Sequence, residues 1–283
     1  MTDWVAFAVI PRPNPYEMVI ITSPRGPLKQ SDGYYVTEAQ AGELAVGLSL
    51  REVLVLRQLP WEIGHDIFVV SSAKRRVFWI DLTRSFDSLL MAMTGSTRKE
   101  IKRAGQTLGQ CEIIHNTSTA QGDFYSLYRQ FQVRSDFMKA LPVAKFGAFL
   151  RAADVWVAYC HGRPVCGHLN LIDDKCARVH GVWSASIWRD CSDPVVVSAL
   201  NRWLYWREMV AYKEMGISAY DLGGGTPGII EFKRRLGAAE TVAHDYVLAR
   251  PPIGTLLSLY ARLTGRDDER LLAPPGRSSV AIN

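Results

Sequence analysis

Hydrophobic and polar positions change their period along this chain in a readable order. The runs EMVIIT (Glu17–Thr22) and REVLVLRQL (Arg51–Leu59) have the composition of strands. DIFVVSS and RRVFWIDL lie on either side of Ala73-Lys74 and predict a hairpin. Thr83–Thr94 predicts a helix capped by Thr83 or Ser85. RKEIKRAGQTLG predicts a basic amphipathic helix with Ser96 or Thr97 as its N-cap. CEIIH is a short strand. Asp123–Lys139 then takes a helical period, with Phe124, Leu127, Tyr128, Phe131 and Met138 on one face.

The pattern next becomes a meander. VWVAYC (155–160) turns at HGRP, VCGHLNLI (165–172) turns at Asp173-Asp174-Lys175, and CARVHGVWS (176–184) returns. Asp193-Pro194 opens a long helix whose buried side includes Val195, Val196, Leu200, Trp203, Leu204, Met209 and Val210, and Gly216 ends it. ISAYDLGGG is a strand running into a glycine loop, Gly228–Leu236 a short helix, TVAHDYVLA a last strand, and 253–265 a terminal helix. From Thr264 the polar, proline-containing end predicts little order. Three antiparallel strands feeding a crossover helix imply a mixed α/β sheet.

Composition narrows the class. The chain has 283 residues, 48% hydrophobic and 22% charged, as a globular protein does. No apolar run reaches the ~18 residues of a membrane span. The start MTDWVAFAVIPRPNP lacks the pattern of a signal peptide, so a cytoplasmic protein is expected. Five cysteines without a C-x-x-C pair do not form a disulfide framework. The net charge of +5 is spread over several Lys/Arg clusters and allows an anionic partner without requiring one.

Three features could carry chemistry. Gly223, Gly225 and Gly228 spell G-x-G-x-x-G, but Pro227 intrudes and no βαβ unit follows, so a dinucleotide site is not expected. Gly224 and Gly225 read instead as a loop that lets backbone approach a ligand. Cys160, His161, Cys166, His168 and Cys176 fit no common zinc spacing, and no metal is expected. The third feature is the meander. A turn centred on Asp173–Lys175 places His168 opposite His180 and Asn170 opposite Arg178, all four on one face. That row is either a solvent-facing surface or part of a substrate cleft, with His168 or His180 as general base and Trp183 on the same hairpin as a further substrate contact.

TRKEIKRAGQTLG (97–109), the meander, the long helix, KEMGISAYDLGGG and EFKRRLGA, in this order, resemble the Fem-type, GNAT-like transferases over roughly 83–250. The chain departs from that pattern at Leu236, where phenylalanine is usual. The resemblance implies an α/β GNAT-like mixed sheet. Residues 1–82 would form a reduced N-terminal half, 83–250 a complete catalytic half, and 251–283 a helix and tail. It implies amide formation by an activated acyl group, which Fem-type enzymes take from aminoacyl-tRNA, on an amine of a small molecule or peptide. It places Lys233 in the catalytic centre as oxyanion stabiliser, Phe232 against the donor or orienting Lys233, and Arg98, with Lys102 nearby, on an acceptor phosphate. No tightly bound cofactor is expected.

Aminoacyl-tRNA and acyl-CoA remain alternative donors. Ordinary CoA-dependent members carry a glycine-rich pyrophosphate loop before the long helix. Here that place holds Trp188-Arg189-Asp190-Cys191-Ser192-Asp193-Pro194, without glycine and with two aspartates. This favours the tRNA donor. A non-catalytic binding protein with a degenerate GNAT cleft is the reading from another class.

Overall fold

A computed structural model of the chain describes residues 19–25, 28–34, 36–63, 69–107, 111–134, 143–173, 177–187 and 193–264. The order is β1 (Val19–Arg25), β2 (Leu28–Tyr34), α1 (Glu38–Gly47), β3 (Glu52–Leu59), β4 (Val69–Asp81), α2 (Phe86–Ala92), α3 (Gly95–Thr107), β5 (Cys111–His115), α4 (Ser118–Arg134) and α5 (Val143–Ala152). It continues with β6 (Asp154–Cys160), β7 (Arg163–Asp173), β8 (Arg178–Ser186), α6 (Pro194–Glu214), β9 (Ala219–Asp221), α7 (Pro227–Arg235), β10 (Ala239–Ala249) and α8 (Ile253–Thr264).

Among the described residues, ten strands form one mixed sheet in the order β1-β2-β3-β10-β4-β9-β8-β7-β6-β5. β10 is threaded between β3 and β4, both from the first 81 residues. Residue 82, where the sequence suggests a boundary, thus follows a strand embedded in this continuous sheet.

Apolar alternation assigns the helices to faces. Phe78, Trp156, Val179 and Tyr220 point toward α2, α3, α6 and α7 and build one core with Leu200, Leu204 and Met209. Val155, Val157, Leu169 and Leu171 point the other way, against Phe124, Tyr128, Phe146 and Phe149 of α4 and α5. The sheet curls so that β1 returns over this second face: Ile21 joins that core, and Tyr34 meets Phe149 edge-on at 6.2 Å between ring centroids.

Several expectations need correction. The two runs around Ala73-Lys74 are one strand, because β10 pairs with β4 from Ala239–Trp79 to Leu248–Val69. The basic residues that suggest a turn are accommodated across the ladder, with Arg75 Nε 2.6 Å from Asp245 Oδ2. α3 starts earlier than expected: its cap is Thr94, whose Oγ1 accepts from Thr97 N at 3.4 Å. α5 was not foreseen. Val195 is 58% exposed, and the buried side of α6 instead carries Glu208 at 0%. Met138, the glycine-free segment Trp188–Ser192 and the end beyond Thr264 lie outside the described residues.

Candidate active site

β8 and β9 run parallel and pair at only three positions, Arg178–Ala219, Val179–Tyr220 and His180–Asp221. Beyond them β8 continues to Ser186, while β9 gives way to the glycine loop. The two strands therefore part in a wedge at the middle of the sheet. Parallel sheets present such openings at the C-terminal ends of their strands, where ligands bind.

The register of β7 and β8 changes the expected polar row. Next to the turn Asp173 pairs with Arg178, Leu171 with His180 and Asn170 with Gly181, so His180 meets Leu171, three positions from the expected His168. An odd shift of register exchanges the faces. His168 and Asn170 therefore point to α6, whereas His180 and Arg178 point to the opposite face. His168 is 1% exposed; its Nδ1 lies 3.0 Å from both Glu208 carboxylate oxygens and its Nε2 2.9 Å from Asn201 Oδ1. Asn170 donates to Glu208 Oε1 at 3.1 Å and to the Tyr212 hydroxyl at 2.8 Å. Tyr220 donates to Glu208 at 2.8 Å, and Tyr212 to Asp154 at 2.9 Å. This network fastens α6 to the sheet through His168 and Asn170. Arg178 lies over the Trp79 ring at 5.5 Å, and Trp183 is stacked on Phe146 at 5.2 Å within the α4–α5 aromatic core.

His180 is placed differently. Its Nδ1 is 2.9 Å from Asp221 Oδ2, at the last paired position before the wedge. Its ring lies 5.2 Å from that of Tyr34. Asp221 also accepts from Gly223 N at 2.6 Å, so one carboxylate fixes both the imidazole and the start of the loop. Gly223 takes φ +68°, the left-handed region glycine enters without strain. The ladder to β4 shifts there: Leu222 N donates to Phe78 O at 2.8 Å, while Phe78 N donates to Gly223 O at 3.2 Å. A side chain at Gly224 would place its Cβ 2.9 Å from Arg76 O.

Lys233 reaches into this loop from α7. Its ammonium donates to Gly223 O at 3.0 Å and also to the carbonyls of Leu222 and Gly224. All three ammonium protons are thus aimed at loop carbonyls. Burial pushes its pKa down to about 8, partly countered by the Asp221 carboxylate. Lys233 therefore acts on the loop, and through it on whatever the loop contacts. Because a trans peptide holds C=O and N–H antiparallel, these carbonyls turn the amides of Gly224 and Gly225 away from the ammonium. Phe232 lies between Tyr205, at 5.6 Å, and the Arg202 guanidinium, at 5.2 Å. Tyr205 is hydrogen-bonded to Ser184 of β8, so this group walls the α6 side of the wedge.

Two expected phosphate contacts separate. Arg98 Nη1 donates to Leu90 O, Met91 O and Met93 O at 3.4, 3.3 and 2.6 Å, neutralising the C-terminal end of α2. The guanidinium thus meets backbone carbonyls at the end of α2. Lys102 is exposed on α3.

The N-terminus of α6 carries its own anion. Asp193 Oδ1 accepts from Val195 N at 3.0 Å and Val196 N at 3.1 Å, and Pro194 has no N–H to offer. The groups that would cradle a phosphate are met by an internal carboxylate. Among the described residues no group of three metal-ligating side chains converges, and no helix is long and apolar enough to cross a membrane.

Comparison with known proteins agrees with a GNAT-like fold. Residues 95–234 match the family model described as an acetyltransferase (GNAT) domain, and the sheet is mixed as in that class. Within that class its fold is Fem-like. The structure of FemX is similar over 85% of this chain and 86% of that one, at a TM-score of 0.57 and 10% identity. A conserved protein of unknown function from Bacteroides thetaiotaomicron gives 0.52 at 10% identity, over 81% of this chain and 82% of its own. L-PGS from Bacillus licheniformis gives 0.50 at 11% identity, over 88% and 86%. No curated protein matches in sequence.

The sequence reading missed Asp221 and Glu208 as site and core residues. Both had a signal. Asp221 stands two residues from Gly223 on the same strand face, and Glu208 falls a helical turn from both Leu204 and Tyr212.

Proposed function

We propose that the protein is an acyltransferase that moves an aminoacyl group from aminoacyl-tRNA to an amine of a small molecule or peptide. The observation that carries the donor is Asp193, whose carboxylate already occupies the helix end where a CoA pyrophosphate would be held. The Fem resemblance supplies the RNA-borne alternative. Lys102 and Lys99 on α3, and Arg234 and Arg235 on α7, are exposed and offer charge to a phosphate backbone.

In this reading the acyl carbonyl enters the wedge between β8 and the glycine loop. The amine nitrogen attacks the ester carbon, the new C–N bond forms, and the C–O bond to the ribose breaks. His180, oriented by Asp221, takes the proton the amine loses and returns it to the departing hydroxyl. The loop amides of Gly224 and Gly225, with the Lys233 charge behind them, stabilise the oxyanion. Tyr205 and Phe232 exclude water from the α6 side.

The match to an acetyltransferase (GNAT) domain favours acyl-CoA as the second reading of the donor. Supplying aminoacyl-tRNA and acyl-CoA pools separately, with amine acceptors, and identifying products by mass spectrometry distinguishes the two. The tRNA reading expects an amide product that disappears after RNase treatment. An RNase-resistant product made from acyl-CoA would replace it with the second reading. RNA binding without product from either donor would make the protein a binding module.

A further inference from the structure

Two thiols face each other at the far edge of the sheet, away from the wedge. Cys111 opens β5, and Cys160 closes β6 just before the turn at His161 and Gly162, both of which have positive φ. The two cysteines are direct antiparallel partners in an unbroken ladder. The type of pair follows from the bonding at its other end, where Asn116 N donates to Val155 O at 2.7 Å. Counting back from Asn116–Val155 through alternating pairs makes Cys111–Cys160 a non-hydrogen-bonded pair. Side chains approach most closely at such pairs. The thiols are within hydrogen-bonding reach of each other, both are free, and both are partly exposed. Neither touches the proposed chemistry. Cys166, on the adjacent strand, is fully buried.

We propose that Cys111 and Cys160 are a modification site: a dithiol that thiol–disulfide oxidants close into a reversible cross-strand disulfide. With oxidised glutathione, one protein thiolate attacks the glutathione S–S bond and releases one glutathione thiol. The second protein thiolate then attacks the mixed disulfide and releases the other. Two protein thiols are oxidised, two glutathione thiols appear, and two protons leave the protein. The bridge would tie the start of β5 to the β6–β7 turn. Burial and the neighbouring Cys160 thiol push Cys111 up to about 12, so closure should accelerate toward alkaline pH.

The test uses the full-length wild-type protein, incubated with oxidised glutathione and read by intact mass and peptide mapping. The expected product has lost two hydrogens and yields one linked peptide joining Cys111 to Cys160, and dithiothreitol reverses it. Cys166→Ser should close equally well. Cys111→Ser should instead gain one glutathionyl group on Cys160. The proposal is overturned if the wild type retains glutathione on either cysteine at saturating oxidant, if the bridge joins another pair, or if both thiols survive.

Discussion

Asp32→Ala is expected to cost about 3–5 kcal/mol of stability, the range for removing one partner from a buried ion pair. Asp32 is 1% exposed and stands on β2, next to the edge strand that curls over the α4–α5 face of the sheet. Its Oδ2 accepts from Lys145 of α5 at 2.8 Å and from Gln30 at 2.9 Å; its Oδ1 accepts from Arg57 Nη2 at 3.1 Å. Arg57 also lies 3.4 Å from Asp245 of β10. One carboxylate therefore joins β2, β3 and α5, and its loss removes a buried counter-charge from both Lys145 and Arg57. Burial alone would raise the Asp32 pKa, but Arg57 and Lys145 hold its carboxyl below the usual carboxylate range. With the folded value below the unfolded one, the contribution is fully present above the unfolded value, about pH 4. It is lost as pH falls through the folded value. Urea unfolding at neutral pH measures the effect, and a shift below about 1 kcal/mol would show that this pairing does not hold the two parts together.

Lys233→Met is the second large expectation. Methionine keeps much of the volume but removes the donor to the carbonyls of Leu222, Gly223 and Gly224. Gly223 O keeps its bond from Phe78 N, and the exposed Gly224 can turn to water. The buried Leu222 carbonyl is left to bear the full cost, about 1–3 kcal/mol. Transfer should fall by about 100-fold or more, the scale of one lost oxyanion donor, because the loop amides lose both their alignment and the charge behind them. The pH dependence separates this from a simple packing defect. The folded pKa of about 8 lies below the unfolded 10.5, so between these values the unfolded chain binds more protons. Wild-type stability should therefore gain on the Met variant as pH rises from about 8 toward 10.5. A gap independent of pH would mean that the ammonium is not held as described.

These residues also show how far the sequence could be read. The order of elements from α2 to β10 was legible apart from α5, because period, caps and turn residues agree locally along most of that stretch. The Fem-like fold was legible through motif order. The faces of the meander were not, since the turn register pairs His180 with Leu171 in place of His168, an odd shift that leaves no mark in composition. The continuity of β4 was obscured because its basic middle meets carboxylates elsewhere in the chain, Arg75 meeting Asp245, a partner 170 residues away in sequence (75 to 245). Lys233 and Arg98 were identifiable as special, but motifs do not tell which atoms a charge will meet. Both are turned toward backbone carbonyls.

The central claim is that the wedge at Asp221–His180 performs the transfer. The most direct measurement is kcat/KM for His180→Gln beside wild type, with the donor that supports turnover. Glutamine preserves a donor toward Asp221 and a similar volume but takes no proton at neutral pH. The account predicts a fall of about 100-fold or more, the usual contribution of a general base, with the urea midpoint nearly unchanged. A variant that turns over within about threefold of wild type, where a base's contribution would be far larger, would contradict it and move the chemistry away from His180.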